Sequence, residues 1–169
     1  MILELHNGAV PAVGSETPDF TLRSAAGRDV TLSSYRSHAP VLLAFFPLAF
    51  TRTCTAELCA ITEDYDAFAA TGVEVLPISV DSTATLREYR ERYNLRVDLL
   101  SDFRRTTAAA WGVLLEEKFY AKRAYFLVDE SGVIRWAHVE ERTSDKRENA
   151  ELLEAISRLR DGRSAAPSQ

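Results

Sequence analysis

The sequence predicts an α/β fold in which helices cover both faces of a central mixed sheet. Residues 41–46 form an unbroken apolar run between Pro40 and Pro47, which is typical of a strand that is buried on both faces. Apolar runs then alternate with amphipathic helical stretches along the chain. The last two apolar runs are joined by a short turn at residues 129–132, so part of the sheet is expected to be antiparallel.

The other predicted strands are short and lie next to turn residues. Residues 19–23 and 29–32 alternate between apolar and polar side chains around Gly27 and Arg28, which predicts a hairpin. The remaining apolar runs predict strands at residues 73–80, 97–100, 125–128 and 133–138.

Helices are predicted where apolar residues recur at helical spacing. The first spans residues 53–70 and ends before Gly72; its apolar face consists of Leu58, Ile61, Tyr65 and Phe68. Further helices are predicted at residues 84–93, 107–111 and 148–159. Residues 1–162 are expected to form one domain, and the small polar residues 163–169 are expected to form a flexible tail.

Composition and charge narrow the classes of function. Of the 169 residues, 46% are apolar, and the formal net charge of -5 disfavours binding to a phosphate backbone. The first residues lack the basic segment and apolar segment of a secretory signal, and no apolar run reaches the roughly 18 residues of a membrane span. We therefore expect a soluble, cytoplasmic protein that binds neither nucleic acid nor membranes.

The two cysteines, Cys54 and Cys59, are too few for a disulfide-stabilised secreted fold. Cys54 follows the central strand in the first turn of the next helix, where free backbone N–H groups and the helix dipole stabilise a thiolate. A reactive thiol and an inert buried cysteine both fit this position. The histidines form no zinc-binding spacing with the cysteines, so no metal and no cofactor are expected; they are His6, His38 and His138.

The residues before Cys54 carry the most specific motif in the chain. Residues 47–54 read Pro-Leu-Ala-Phe-Thr-Arg-Thr-Cys and match the pattern Pro-x-x-x-Thr-x-x-Cys. This stretch resembles the active site of peroxiredoxins. The resemblance implies a thioredoxin-like fold and a thiol-dependent peroxidase that reduces hydrogen peroxide and organic hydroperoxides. It extends over nearly the whole chain, through residues 18–22, 41–46, 99–102, 111–113 and 123–129.

The resemblance also implies a role for each site residue. Cys54 is the expected nucleophile, which becomes a sulfenic acid as the O–O bond breaks. Thr51 is expected to hydrogen-bond the thiolate and the peroxide, and Pro47 to shield the site and fix the loop. Arg123 is expected to stabilise the thiolate and the developing oxyanion, and Glu57 to orient an arginine. The alternatives are that Thr51 only caps the helix and that Arg123 is a solvated surface charge.

Cys59 distinguishes two possible catalytic cycles. Residues 54–59 read Cys-Thr-Ala-Glu-Leu-Cys and resemble the Q-type, or bacterioferritin comigratory, peroxiredoxins. That resemblance implies that Cys59 resolves the sulfenic acid as an intramolecular disulfide. Residues 48–53 are more similar to the one-cysteine E-type subfamily, in which Cys59 would be structural. On a regular helix the two Cα atoms are more than about 8 Å apart, so a disulfide requires the helix to unwind.

Two further classes stay open at this point, a thioredoxin-like thiol–disulfide exchanger and a binding module with a structural cysteine pair. An exchanger would carry Cys-x-x-Cys and a proline before the later strand, but residues 123–125 read Arg-Ala-Tyr, with Tyr125 where Thr or Ser is common. Phe50 and Trp111 are candidates for the pocket wall. The peroxiredoxin resemblance implies a hydroperoxide substrate, a thioredoxin-like or low-molecular-weight thiol as reductant, and a monomer or a homodimer.

Overall fold

A computed structural model describes residues 5–162 of the chain. The tail predicted at residues 163–169 lies outside the described residues. The strands are β1 (Thr21–Ser24), β2 (Asp29–Thr31), β3 (Val41–Phe45), β4 (Glu74–Ser79), β5 (Leu100–Ser101), β6 (Leu114–Leu115), β7 (Tyr120–Ala121), β8 (Ala124–Val128) and β9 (Ile134–Val139). The α-helices are α1 (Arg52–Glu63), α2 (Tyr65–Ala70), α3 (Thr83–Arg92), α4 (Thr106–Ala110) and α5 (Asn149–Arg160), and a 3-10 turn spans Leu32–Tyr35.

Seven of these strands form one mixed sheet in the order β2-β1-β5-β4-β3-β8-β9. The central strand β3 runs parallel to β4 and antiparallel to β8, and all five of its residues are buried. The hairpins β1–β2 and β8–β9 form as predicted. The predicted fold class, a thioredoxin-like α/β fold with a mixed central sheet and helices on both faces, is therefore confirmed.

Two apolar clusters form the core, one on each face of the sheet, because successive side chains of β3 point to opposite faces. Leu43 and Phe45 belong to the cluster that also contains Trp111 of the segment after α4. Leu42 and Phe46 belong to the other cluster, which α1, α3 and α5 cover. Burying each large apolar side chain stabilises the fold by about 1.5–3 kcal/mol. Within the described residues, no helix is long and apolar enough to cross a membrane.

The structure corrects two predicted elements and adds a hairpin that the sequence did not predict. The single helix expected at residues 53–70 is two helices, because Asp64 leaves the helical conformation and its carboxylate accepts a hydrogen bond from Asn149 of α5 at 2.8 Å. The strand expected at residues 97–100 is only the short β5, which begins at Leu100. The hairpin β6–β7 was not predicted, since its turn contains no glycine and places Phe119 in the left-handed region with φ 59°.

Candidate active site

The loop that connects β3 to α1 brings the motif residues to the carboxyl end of the central strand. Pro47 is buried, and Phe50 lies in the left-handed region with φ 65°. The backbone N–H of Ala49 donates a hydrogen bond of 2.8 Å to Asp81, which also accepts one of 2.7 Å from the Ser79 hydroxyl. Asp81 follows β4, so the neighbouring strand holds this loop in place.

Cys54 lies in the first turn of the twelve-residue helix α1, and only 1% of its surface is exposed. An Nη2–H group of Arg123 donates to the Cys54 sulfur at 3.1 Å. The guanidinium, like the thiol, is 1% exposed. A fixed cation beside a sulfur at a helix N-terminus is placed to meet negative charge that develops on an oxygen bound to that sulfur. The alternative that Arg123 is a solvated surface charge is therefore wrong.

Three further groups hold the Arg123 guanidinium in place. Its Nε–H donates to the Asp145 carbonyl at 2.9 Å, and Nη2 donates to the Thr143 carbonyl at 3.1 Å. Its Nη1 forms a buried ion pair with Glu57. Burial works to lower the pKa of Arg123, but the nearby Glu57 carboxylate and then Cys54 raise that pKa above its ordinary value. The group therefore stays a fixed positive charge beside the sulfur.

Glu57 lies one helical turn after Cys54 and is 3% exposed. One carboxylate oxygen pairs with Arg123, and the other accepts a hydrogen bond of 2.5 Å from the Tyr125 hydroxyl. Burial raises the pKa of Glu57, while the Arg123 charge and the Tyr125 hydrogen bond oppose that rise. This geometry agrees with the predicted role, in which Glu57 orients an arginine.

Thr51 occupies the N-cap position of α1, but its hydroxyl makes no capping hydrogen bond. The hydroxyl instead donates to the Leu48 carbonyl at 2.7 Å. The alternative reading of Thr51 as a side-chain cap is therefore wrong. The hydrogen bond expected from Thr51 to the Cys54 thiolate is also not formed, because the only hydroxyl proton is engaged by Leu48; the oxygen remains available as an acceptor.

A cavity of about 220 Å³ opens over the Cys54 sulfur. This volume is well above the roughly 10–15 Å³ that a cavity needs to hold a single water. Four of the predicted site residues line this cavity, namely Pro47, Thr51, Cys54 and Arg123. Glu57 is buried and does not line it. The lining residues are Pro47, Leu48, Thr51, Arg52, Thr53, Cys54, Tyr120, Arg123, Thr143 and Ser144.

Cys59 lies away from this cavity, partly buried against the cluster that contains Leu58 and Ile61. Both thiols are reduced, and α1 is continuous between them. A regular helix separates residues five apart by an axial rise of about 7.5 Å. Burial raises the pKa of the Cys59 thiol, and the Glu63 carboxylate one turn further along raises it again.

Phe50 and Trp111, the two aromatic candidates for the pocket wall, do not line the cavity over Cys54. The Phe50 ring is 41% exposed and packs on Tyr89 at 4.7 Å between ring centroids. Trp111 is completely buried and packs against Phe126 at 4.9 Å. The aromatic residue that does line the cavity is Tyr120, which belongs to the unpredicted hairpin.

Sequence reasoning did not identify all the groups of the site. Thr143 and Asp145 act through backbone carbonyls, for which no side-chain type gives a signal. The sequence marks Tyr125 only as a departure from the usual Thr or Ser. It does not predict the hydrogen bond that the buried Tyr125 hydroxyl donates to Glu57. Among residues 5–162, no group of three or more histidine, cysteine, aspartate and glutamate side chains is placed to hold a metal ion.

The helix-borne thiol that faces a buried arginine lies on a sheet of the thioredoxin-like fold class. The chain belongs to the AhpC/TSA family, whose model matches residues 13–137. The predicted peroxiredoxin resemblance is confirmed by this match and by relatives named peroxiredoxin Q and alkyl hydroperoxide reductase E.

The chain is 39% identical over 131 residues to alkyl hydroperoxide reductase E of Mycobacterium tuberculosis, which covers 76% of this chain and 86% of that protein. It is 35% identical over 126 residues to the chloroplastic peroxiredoxin Q of Oryza sativa subsp. japonica, covering 74% of this chain. That match spans only 58% of the length of the rice protein.

Solved structures show the same fold. The crystal structure of peroxidoxin BcpB from Mycobacterium tuberculosis superimposes with a TM-score of 0.76 at 30% identity, covering 90% of this chain and 98% of that one. The reduced 2-Cys peroxiredoxin of Plasmodium vivax gives a TM-score of 0.83 at 29% identity, covering 89% of this chain and 83% of that one.

Proposed function

We propose that the protein is a thiol-dependent peroxidase that reduces hydrogen peroxide and organic hydroperoxides through a sulfenic acid at Cys54. The observation that carries the proposal is the 3.1 Å hydrogen bond from buried Arg123 to the Cys54 sulfur at the base of an open cavity. Preorganised cationic donors of this kind stabilise negative charge that develops during a reaction. The relatives, which are named as peroxiredoxins and an alkyl hydroperoxide reductase, support the same activity.

In the proposed first step, the Cys54 thiolate attacks the terminal oxygen of the hydroperoxide. The S–O bond forms, the O–O bond breaks, and its electron pair leaves on the second oxygen, which takes a proton from solvent and departs as an alcohol or as water. Thr51 accepts a hydrogen bond from the peroxide O–H, since its own proton is engaged by Leu48. Arg123 donates to the oxygens as negative charge spreads over them, and Pro47 shields the site.

In the proposed second step, the Cys59 thiolate attacks the Cys54 sulfur. The S–S bond forms, the S–O bond breaks, and hydroxide leaves and is protonated to water. Because α1 separates the two cysteines, its first turns must unwind before the disulfide can close. A thioredoxin-like protein or a low-molecular-weight thiol then reduces the disulfide. A reducing compartment suits this cycle, and we propose the cytoplasm as the location.

The proposed cycle predicts the thiol stoichiometry and the state of α1 after oxidation. One equivalent of hydrogen peroxide is expected to remove both thiols and to give a Cys54–Cys59 disulfide, which dithiothreitol reverses. Hydrogen exchange is expected to accelerate across residues 53–60 in the oxidised form, because that segment has unwound. Thiol titration, mass spectrometry and hydrogen exchange of both forms measure these outcomes.

The matched control for this experiment is Cys59→Ser, which should lose one thiol and stop at the sulfenic acid. A sulfenic or sulfinic acid on Cys54 with Cys59 still free in the wild type, and equal exchange protection in both forms, would reject the two-cysteine cycle. The alternative would then hold, in which the protein is a one-cysteine peroxidase and Cys59 is structural. A thiol–disulfide exchanger, the other alternative, would reduce disulfides faster than it consumes peroxide.

The second step is expected to depend on pH through the Cys59 thiol. Since the attacking group is the thiolate, disulfide formation should speed up as the pH rises from 6 to 9. In the folded helix, burial and the Glu63 carboxylate raise the pKa of this thiol, so unwinding of α1 favours the thiolate as well as bringing the two sulfurs together. Stopped-flow measurement after a peroxide pulse gives this rate, and a rate that stays constant or falls over this pH range would contradict the prediction.

A further inference from the structure

We propose that Tyr125 is a positioning residue that holds the Arg123 guanidinium against the Cys54 sulfur, an inference that rests on the proposed peroxidase function. Tyr125 lies on β8 two residues after Arg123 and is completely buried. Its hydroxyl donates to Glu57 at 2.5 Å and accepts the backbone N–H of Arg147 at 3.0 Å. This one hydroxyl therefore contacts both of the parts of the protein that hold Arg123: the Glu57 carboxylate and the segment that ends at Arg147.

The first of these structures is the Glu57 carboxylate. One of its oxygens pairs with Arg123, and the Tyr125 hydroxyl is the hydrogen-bond donor to the other. A buried carboxylate that loses a hydrogen bond is driven towards its neutral, protonated form. A neutral Glu57 would pair less strongly with Arg123, and the guanidinium would be free to turn away from the sulfur.

The second structure is the segment after β9. Thr143 and Asp145 give Arg123 their backbone carbonyls, and Arg147 ends the same segment with its N–H on the Tyr125 hydroxyl. The Arg147 side chain is paired with the buried Glu140 at 2.6 Å. The hydrogen bond from the Arg147 N–H to Tyr125 thus attaches the end of this segment to strand β8. This attachment holds in place the two carbonyls that orient the guanidinium.

Tyr125 acts through these neighbours and is not itself a catalytic residue. It lies beneath Arg123, outside the set of side chains that line the cavity over Cys54. Burial raises the pKa of Tyr125 above its ordinary value, and the Glu57 carboxylate raises it further. The hydroxyl therefore stays protonated and remains a donor to Glu57.

The test uses Tyr125→Phe in the full chain, which removes only the hydroxyl oxygen and keeps the ring in the core. The second-order rate of Cys54 oxidation by hydrogen peroxide is expected to fall about tenfold, the scale of one hydrogen bond to a charged group. Alkylation of Cys54 by iodoacetamide, which also needs the thiolate but no oxyanion donor, is expected to stay within twofold of wild type when both rates are measured at a pH that ionises the thiol fully in both proteins. Tyr35→Phe, a half-buried tyrosine on the other side of the fold, is the control and should change neither rate.

The ratio of the peroxide rate to the alkylation rate separates a role of Tyr125 in positioning Arg123 from a general loss of packing. Loosened packing would expose the buried Cys54 and accelerate alkylation, whereas a misaligned guanidinium slows only the peroxide reaction once the thiol is fully ionised. Glu57→Gln should lower the same ratio, because it removes the charge through which Tyr125 acts. A peroxide rate within twofold of wild type in Tyr125→Phe, or a parallel change in both rates, would overturn the proposal. Failure of wild-type Cys54 to react with peroxide would instead overturn the proposed function.

Discussion

Replacing Cys54 by serine is expected to abolish peroxide consumption while the fold stays intact. A serine hydroxyl does not ionise near neutral pH, and the reacting nucleophile is the thiolate. The substitution exchanges one atom at a site that is 1% exposed, so packing around β3 and α1 should change little. Peroxide consumption in the presence of dithiothreitol measures the loss, and circular dichroism checks the fold.

Cys59→Ser is the matched control for Cys54→Ser, because it also removes one sulfur from α1. It should keep the reaction of Cys54 with peroxide and lose only the disulfide. Appreciable peroxidase activity in Cys54→Ser, or an equal loss in both variants, would contradict the assignment of Cys54 as the nucleophile.

Arg123→Ala is expected to slow the reaction of Cys54 with peroxide at least about a hundredfold, which corresponds to about 2.7 kcal/mol of transition-state stabilisation. The substitution removes the donor that lies 3.1 Å from the sulfur, and a water that enters the vacated space carries no positive charge. It also leaves the Glu57 carboxylate buried without its partner, which lowers the free energy of unfolding. Stopped-flow kinetics at a temperature where the variant is folded separates the two effects.

Two further variants sharpen the Arg123 prediction. Arg123→Lys keeps the charge but loses the planar fork that reaches Cys54, Glu57 and the two carbonyls, so it should recover only part of the rate. Arg23→Ala, at an exposed position of β1, is the control for loss of a positive charge and should react at the wild-type rate. A rate for Arg123→Ala within a few fold of wild type would show that the guanidinium does not act on the reacting oxygens.

The parts of the fold that depend on local pattern were predictable from the sequence. The unbroken apolar run at residues 41–46 predicted the position of β3, since a short apolar run between two prolines is typical of a strand covered on both faces. The short loop that begins at Pro47 and the helical pattern that follows then predicted Cys54 in the first turn of α1. The pairing of Cys54 with Arg123, 69 positions apart, followed only from the family resemblance.

The features that the sequence did not predict depend on contacts between distant residues. The predicted first helix is interrupted at Asp64, which accepts a hydrogen bond from Asn149 of α5. The helical spacing of apolar residues gives no sign of a contact between residues so far apart in the sequence. The Thr51 hydroxyl could cap α1 or bond to Leu48, and only the backbone geometry of the loop decides between them. Tyr125 was unexpected because its usefulness depends on a buried carboxylate from another element.

Trapping of the Cys54 sulfenic acid tests the central claim most directly. Cys59→Ser protein is mixed with one equivalent of hydrogen peroxide and with dimedone, which reacts with sulfenic acids, and is then digested for mass spectrometry. We predict one dimedone adduct, on Cys54, with one hydrogen peroxide consumed per chain. An unmodified Cys54 after peroxide has been consumed, or peroxide left unconsumed by folded protein, would contradict the account.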